Sequence, residues 1–254
     1  MMPILLVLGA FGIGFVSAVA GIGGGSLLVP FLILALGYNV KVAIATSLMC
    51  IVVTSSSASS EYLRRGLVDV NTALLLEPLT ALGAITGAYV TLSLPVNVLK
   101  VALGALFLYI SVETMWKAFR EEKARVTSSK NVGTFRKVVS SILSFIAGLT
   151  SGIFGIGGGV IKVPIMTYIM GLPIKTAVAT SSFMVGLTAA SGEIVYLIKG
   201  LTDPMTVILL SIGIMPGATI GAKALRRIKP RYVRIVFGAV LLYASLRLLT
   251  SIHL

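Results

Sequence analysis

Two glycine runs carry the most chemistry in this sequence. They are Gly21-Ile22-Gly23-Gly24-Gly25 and, 134 positions later, Gly155-Ile156-Gly157-Gly158-Gly159. Three successive glycines hold a helix badly, each costing about 1 kcal/mol relative to alanine. A helix that restarts after them leaves its first N–H groups without intrahelical partners and carries about half a positive charge at that end. The chemistry on offer is reversible anion binding, not bond making. Gly23, Gly24, Gly25, Gly157, Gly158 and Gly159 supply bare amides, Ser26, Thr46, Ser47, Thr180 and Ser181 supply hydroxyl donors, and Lys162 supplies a cation. Each residue also has a plainer reading. Glycines let helices pack closely, Ser and Thr in apolar helices bond to backbone carbonyls, and a lysine can snorkel to an interface.

Other chemistries lack their residues. Neither glycine run is followed by the Lys-Ser/Thr pair of a phosphate loop, and no GxGxxG opens a strand–helix unit. The single histidine, His253, is the penultimate residue, so neither a His–Cys metal cluster nor a Ser-His-Asp set is available. No metal, no cofactor and no enzyme activity are expected. The lone cysteine, Cys50, falls in an apolar run and reads as a packing residue.

Of eight acidic residues, Glu61, Asp69, Glu121, Glu122 and Asp203 fall in loops, while Glu77, Glu113 and Glu193 fall in apolar runs. Glu193 is the candidate coupling group, because a carboxyl inside a membrane can carry a proton; its plainer reading is a neutral or paired glutamate fixing helix contacts. Glu77 precedes Pro78 and is expected to satisfy backbone freed by the proline. Glu113 lies four residues before Lys117, the spacing of a helical ion pair.

The elements that must position these groups are membrane helices. Hydrophobic residues make up 57% of the chain and charged residues 11%, with a mean hydropathy of +1.04, far from a soluble domain. The runs Ile4–Ala20, Val42–Ser60, Val70–Thr91 and Thr206–Ala222 approach the roughly 20 residues a helix needs to cross the hydrocarbon layer. They do not alternate as barrel strands would. The fold class is therefore an all-α polytopic membrane protein, with the lipid bilayer as its surroundings. The net charge of +13 reads as basic loops on one side of the membrane and not as a nucleic-acid surface.

An offset of 134 aligns the halves without a gap from Ser17 to about Trp116. GIGGGSLLVP at 21–30 meets GIGGGVIKVP at 155–164, and KVAIATS at 41–47 meets KTAVATS at 175–181. The chain is duplicated. Residues 1–117 form a first repeat, 118–137 a basic cytoplasmic linker and 138–254 a second repeat. Expected spans in the first are Ile4–Ala20, Ser26–Leu36, Val42–Ser60, Val70–Thr91 and Val98–Trp116. In the second they are Val138–Phe154, Val160–Met170, Thr176–Ile198, Pro204–Ala222 and Val233–Thr250. The second member of each set has 11 residues, about 16 Å of helix, too short to cross alone. Each half is thus a glycine-broken hairpin followed by three full spans. A hairpin plus three spans reverses the chain's side, which makes the repeats inverted. The lysines and arginines agree: they crowd the linker and residues 223–234, and are sparse at Lys41, 93–97 and Lys199. Two inverted breaks converging within the membrane is how many secondary transporters build an anion site.

The two GIGGG…VP blocks, the K-x-A-x-A-T-S segments and the duplicated helical layout together resemble the TauE/SafE family of membrane permeases over nearly the whole chain. That resemblance implies export of sulfite or a small organosulfonate. The residues alone reach a small anion. The expected function is a secondary transporter working by alternating access, with an ion gradient or the anion's own gradient as driving force. An anion channel and a non-transporting membrane scaffold are the alternatives.

Overall fold

A computed structural model describes residues 2–20, 24–119, 133–225 and 230–250. The described residues form helices joined by short turns, with no strand among them. In chain order they are α1 (Met2–Ala20), α2 (Gly25–Leu36), α3 (Val40–Arg64), α4 (Val70–Ser93), α5 (Val96–Phe119), α6 (Thr134–Phe154), α7 (Gly159–Pro164), α8 (Ile174–Ile198), α9 (Pro204–Ala224) and α10 (Pro230–Thr250). A π-helical turn, Ile165–Ile169, continues α7 past Pro164. Each span expected from sequence has its helix. Of the expected linker, residues 118–119 end α5 and 134–137 open α6; residues 120–132 lie outside the described ones.

The ends of these helices follow from local chemistry. Asp69 caps α4 by accepting from Thr72 N at 3.1 Å, and Asp203 caps α9 by accepting from Met205 N at 3.1 Å, as N-cap carboxylates do. Helix α2 closes at Gly37, in the left-handed region at φ 69°. There Gly37 N donates to Ile33 O and Tyr38 N to Leu32 O, a Schellman arrangement that ordinary residues adopt only under strain.

Six helices, α3–α6, α8 and α9, are long and apolar enough to cross a membrane. Their outward faces carry exposed Leu74, Leu82, Tyr109, Val112, Ile198 and Ile212. So wide an apolar surface belongs in lipid. Helices α3 and α8 form the centre: the most apolar stretches of these helices are 67% and 56% buried, against 33% in α5 and α6.

Contacts repeat across the halves with exchanged partners. A Cβ on Gly83 would lie 2.2 Å from Phe145 O, and one on Gly217, its mate 134 positions on, 2.2 Å from Phe11 O, the mate of Phe145. Glycines thus seat α4 on α6 and α9 on α1. Ser111 Oγ donates to Gly238 O at 2.7 Å while its mate Ser245 donates to Gly104 O at 2.8 Å, joining α5 and α10. The equivalent helices α3 and α8 run antiparallel: Leu48 lies against Gly192, and Ser55 against Gly186, where Ser55 Oγ donates to Ser182 O.

Candidate functional site

Each helix break is built by residues with no side chain in the way. Gly24 stands at φ 95° before α2. Gly155, Gly157 and Gly158 stand at φ 68°, 78° and 72° before α7. Left-handed backbone at all these points disfavours any other L residue. Gly23 lies outside the described residues. The two breaks meet: a Cβ on Gly25 would lie 2.1 Å from Gly155 O and 2.8 Å from Ile156 Cα. The sequence predicts an anion site where they converge. The structure places backbone on backbone at Gly25, with Ile51 Cδ1 2.4 Å from the same point.

Three serines at the breaks have buried hydroxyls with no hydrogen-bond partner: Ser26, and the repeat mates Ser17 and Ser151. A Cβ on Gly24 would lie 3.0 Å from Ser17 Oγ, and one on Gly158 3.6 Å from Ser151 Cβ. Buried hydroxyls normally find partners, so these mark polar capacity left unspent by the fold. Ser47 belongs to the same place, donating to Gly155 O at 2.9 Å. The sequence reading named Ser26 and Ser47 but left out Ser17 and Ser151. Their signal was that the aligned repeat begins on them, four residues before each glycine run.

Thr46 and Thr180 are not part of that cluster. Because α3 and α8 run antiparallel, with Leu48 opposite Gly192, these threonines lie toward opposite ends of the pair, roughly 20 Å apart at 1.5 Å per residue. Asp203 N donates to Thr46 Oγ1 at 3.1 Å, and Asp69 N donates to Thr180 Oγ1 at 2.9 Å. The five hydroxyl residues therefore do not converge on one point. Ser181 is buried beside Thr180. On the Thr46 side, Tyr38 Oη donates to Asp203 Oδ2. That bond, with a second from Thr206 Oγ1 at 2.8 Å, holds the Asp203 carboxyl below the usual carboxylate range. Burial, and then the Asp203 carboxylate beside it, push the Tyr38 phenol up.

Lys162 does not snorkel. It is fully buried, with Nζ 3.3 Å from Glu77 Oε2 and 2.5 Å from Thr188 Oγ1. Thr188 Oγ1 in turn donates to Glu77 Oε1 at 2.6 Å. Glu77 therefore spends its carboxylate on this lysine and threonine and not on backbone freed by Pro78. Glu193 is 1% exposed; its Oε1 accepts from Thr202 Oγ1 and its Oε2 has no partner. The expected Glu113–Lys117 pair falls on a Lys117 side chain outside the described ones. No group of three or more metal-ligating side chains occurs among the described residues.

Two cavities open between the helices. One, of about 550 Å³, is an apolar crevice between α1, α2 and α10. The other, of about 690 Å³, is lined by Tyr38, Asn39, Lys100 and Arg247.

A family model described as sulfite exporter TauE/SafE matches residues 6–248. The probable membrane transporter protein YunE of Bacillus subtilis is 30% identical over 97% of this chain and 96% of its own. YdhB of the same organism, likewise a probable membrane transporter protein, is 30% identical over 86% of this chain and 89% of its own. The sulfite exporter TauE/SafE family protein 6 of Arabidopsis thaliana is 32% identical over 46% of this chain and 27% of its own. No solved structure matches the chain.

Proposed function

Since the chain belongs to the sulfite exporter TauE/SafE family of multi-pass membrane transporters, we propose that its substrate is a small sulfur oxyanion, sulfite or an organosulfonate, carried by alternating access. The observation that supports this best is the meeting of the two glycine breaks at Gly25 and Gly155, with unpartnered Ser17, Ser26 and Ser151 hydroxyls around them and Lys162 one turn beyond. Gly23–Gly25, Ser26, Ser47, Gly157–Gly159 and Lys162 form the binding region in this reading.

The packed contact at Gly25 is then the one that must open. The anion enters as the breaks part, taking hydrogen bonds from amides and serine hydroxyls. The antiparallel α3 and α8 support an inverted arrangement of the repeats, 1–117 and 138–254, about an axis in the membrane plane. With the basic linker cytoplasmic, Thr180–Asp69 ties the halves together near the cytoplasmic side and Thr46–Asp203 near the opposite side. Opening one tie while the other holds exposes the site to one side at a time. Glu193, buried with an unpartnered oxygen, is a candidate carrier of a coupled proton.

The test is uptake of labelled sulfite and small sulfonates into proteoliposomes. The expected result is saturable flux and counterflow, in which unlabelled anion on one side drives labelled anion from the other. Non-saturating conductance would instead indicate a channel. Folded protein with no flux of any small oxyanion would leave the scaffold reading.

A further inference from the structure

The contact among Lys162, Glu77 and Thr188 breaks the repeat. At the offset of 134, Lys162 corresponds to Leu28 and Glu77 to Ser211. Leu28 is fully buried. Thr188 corresponds to Thr54, and both hydroxyls stand over the carbonyl four residues back, 3.0 Å from Met184 O and 2.8 Å from Cys50 O. The residues equivalent by the repeat thus carry no charge at all, so packing does not call for the ion pair. A buried ion pair contributes little to stability against an apolar replacement, and intramembrane charges of this kind mark functional sites.

Both charges sit where their helices are weakest. Lys162 rides on the six-residue α7, with left-handed Gly157 and Gly158 before it and the π-turn after Pro164. Glu77 stands next to Pro78, which removes a hydrogen bond from α4. The lysine is one turn past the second break, where the oxyanion reading puts the substrate. Its ammonium is already held by a carboxylate.

We propose that Glu77 occupies the substrate's place on Lys162 in the empty transporter, and that the anion binds only as Glu77 takes up a proton, so that anion and proton cross together. This rests on the transporter reading. A proton from water adds to the Glu77 carboxylate and makes the neutral acid. The contact to Lys162 Nζ opens, and an oxygen of the anion accepts the ammonium hydrogen in its place. The site's net charge is zero before (ammonium plus carboxylate) and zero after (ammonium, neutral acid and a monovalent anion). An anion entering with Glu77 still ionised would leave one negative charge in the interior, and a proton entering alone one positive charge. Burial penalises both, so only the two neutral forms reorient.

Among the described residues, nothing else charged competes for Glu77. Helix α4 packs mainly on α6 and α8. The charged residues of α6, Arg136 and Lys137, are exposed in its first turn; on α8, Lys175 is exposed and Glu193 is bonded to Thr202. The tyrosine of α8, Tyr196, donates to Gly152 O.

Labelled methanesulfonate in proteoliposomes is the probe, because it has no proton of its own to lose near neutral pH. With the outside one pH unit more acidic and the membrane potential clamped at zero, the wild type should accumulate it about tenfold, the proton ratio itself. Glu77→Gln, which mimics the neutral acid, should keep counterflow at equal pH and lose the accumulation. A second variant guards against misfolding. Glu77→Ser/Lys162→Leu gives each position the residue of its repeat mate, Ser211 and Leu28, and should fold and lose counterflow. Undiminished accumulation in Glu77→Gln overturns the proposal. So does wild-type counterflow in the double variant, or loss of accumulation in Glu193→Gln while Glu77→Gln retains it. Wild-type counterflow without any pH-driven accumulation overturns this proposal alone, whereas absence of all counterflow removes the transporter reading as well.

Discussion

Asp203 donates its backbone N–H to the hydroxyl of Thr46 at 3.1 Å, and the same bond recurs with halves exchanged between Asp69 and Thr180 at 2.9 Å. In each case a helix-capping aspartate from one half is held by a buried threonine of the other. Thr46→Val keeps the side chain's shape and removes the acceptor. An N–H left without a partner costs about 1–3 kcal/mol, so Thr46→Val and Thr180→Val should each lower the midpoint of thermal unfolding in detergent. Thr46→Ser should recover most of the loss. Equal midpoints for Val and Ser would show that the bond contributes nothing.

Asp203 should also set the acid limit of the fold on its side. Tyr38, the largest cause, holds its carboxyl below the usual range. A group whose pKa is lower in the folded state adds stability above its unfolded pKa and loses it as pH falls through the folded value. Removing the phenol in Tyr38→Phe brings the folded value back toward the unfolded one. The stability carried by Asp203 then shrinks, and unfolding on acidification begins at higher pH than in wild type. Acid titrations of both proteins, followed by tryptophan fluorescence or circular dichroism, check this; superimposable curves would refute it.

Glycines in α1, α4, α6 and α9 divide sharply by what faces them. A Cβ on Gly148 would lie 1.9 Å from Thr80 O, whereas one on Gly12 would meet nothing within 4 Å. Gly148→Ala must push α6 off α4, an overpacking that costs about 1–3 kcal/mol. Gly12→Ala should cost nothing measurable and can gain from helix propensity. Thermal midpoints of the two variants should move apart accordingly.

Conformation and crowding can be separated by comparing a helix-ending glycine with one at a break. Gly37 and Gly158 share nearly the same φ, 69° and 72°, but Gly37 faces open space while a Cβ on Gly158 would lie 2.6 Å from Ala147 O. Gly37→Ala should therefore cost only the left-handed conformation, about 1–2 kcal/mol. Gly158→Ala should cost more and also reduce oxyanion flux in proteoliposomes. Equal stability losses with unchanged flux would remove Gly158 from the binding region.

Much of this was legible before the structure. Helix positions could be read because apolar runs, glycine breaks and N-cap aspartates are local signals, and an offset of 134 read them twice. The duplication could not say which partners exchange. Thr46 meets Asp203 across 157 positions, and no local pattern carries that pairing. Lys162 was visible as a departure from Leu28, and Glu77 as an acid beside a proline. Their union was not, because no local pattern joins residues that far apart in the chain. Both depart from the repeat by gaining opposite charges, and that was the signal to join them. The direct contact of Gly25 with Gly155 was unreadable for a different reason. Absence of side chains equally suits a ligand or another backbone, and only coordinates tell which fills the gap.

The joint between α5 and α10 has a consequence for how such a chain can be assembled. Ser111 reaches Gly238 O and Ser245 reaches Gly104 O, so each half offers the other the surface it receives. That is the pattern of an isologous dimer. Two identical copies of one ancestral half would already fit together without a covalent tether, and gene fusion would add no new interface. Residues 1–119 and 133–254 produced as separate polypeptides in one cell should accordingly find each other and restore the full assembly.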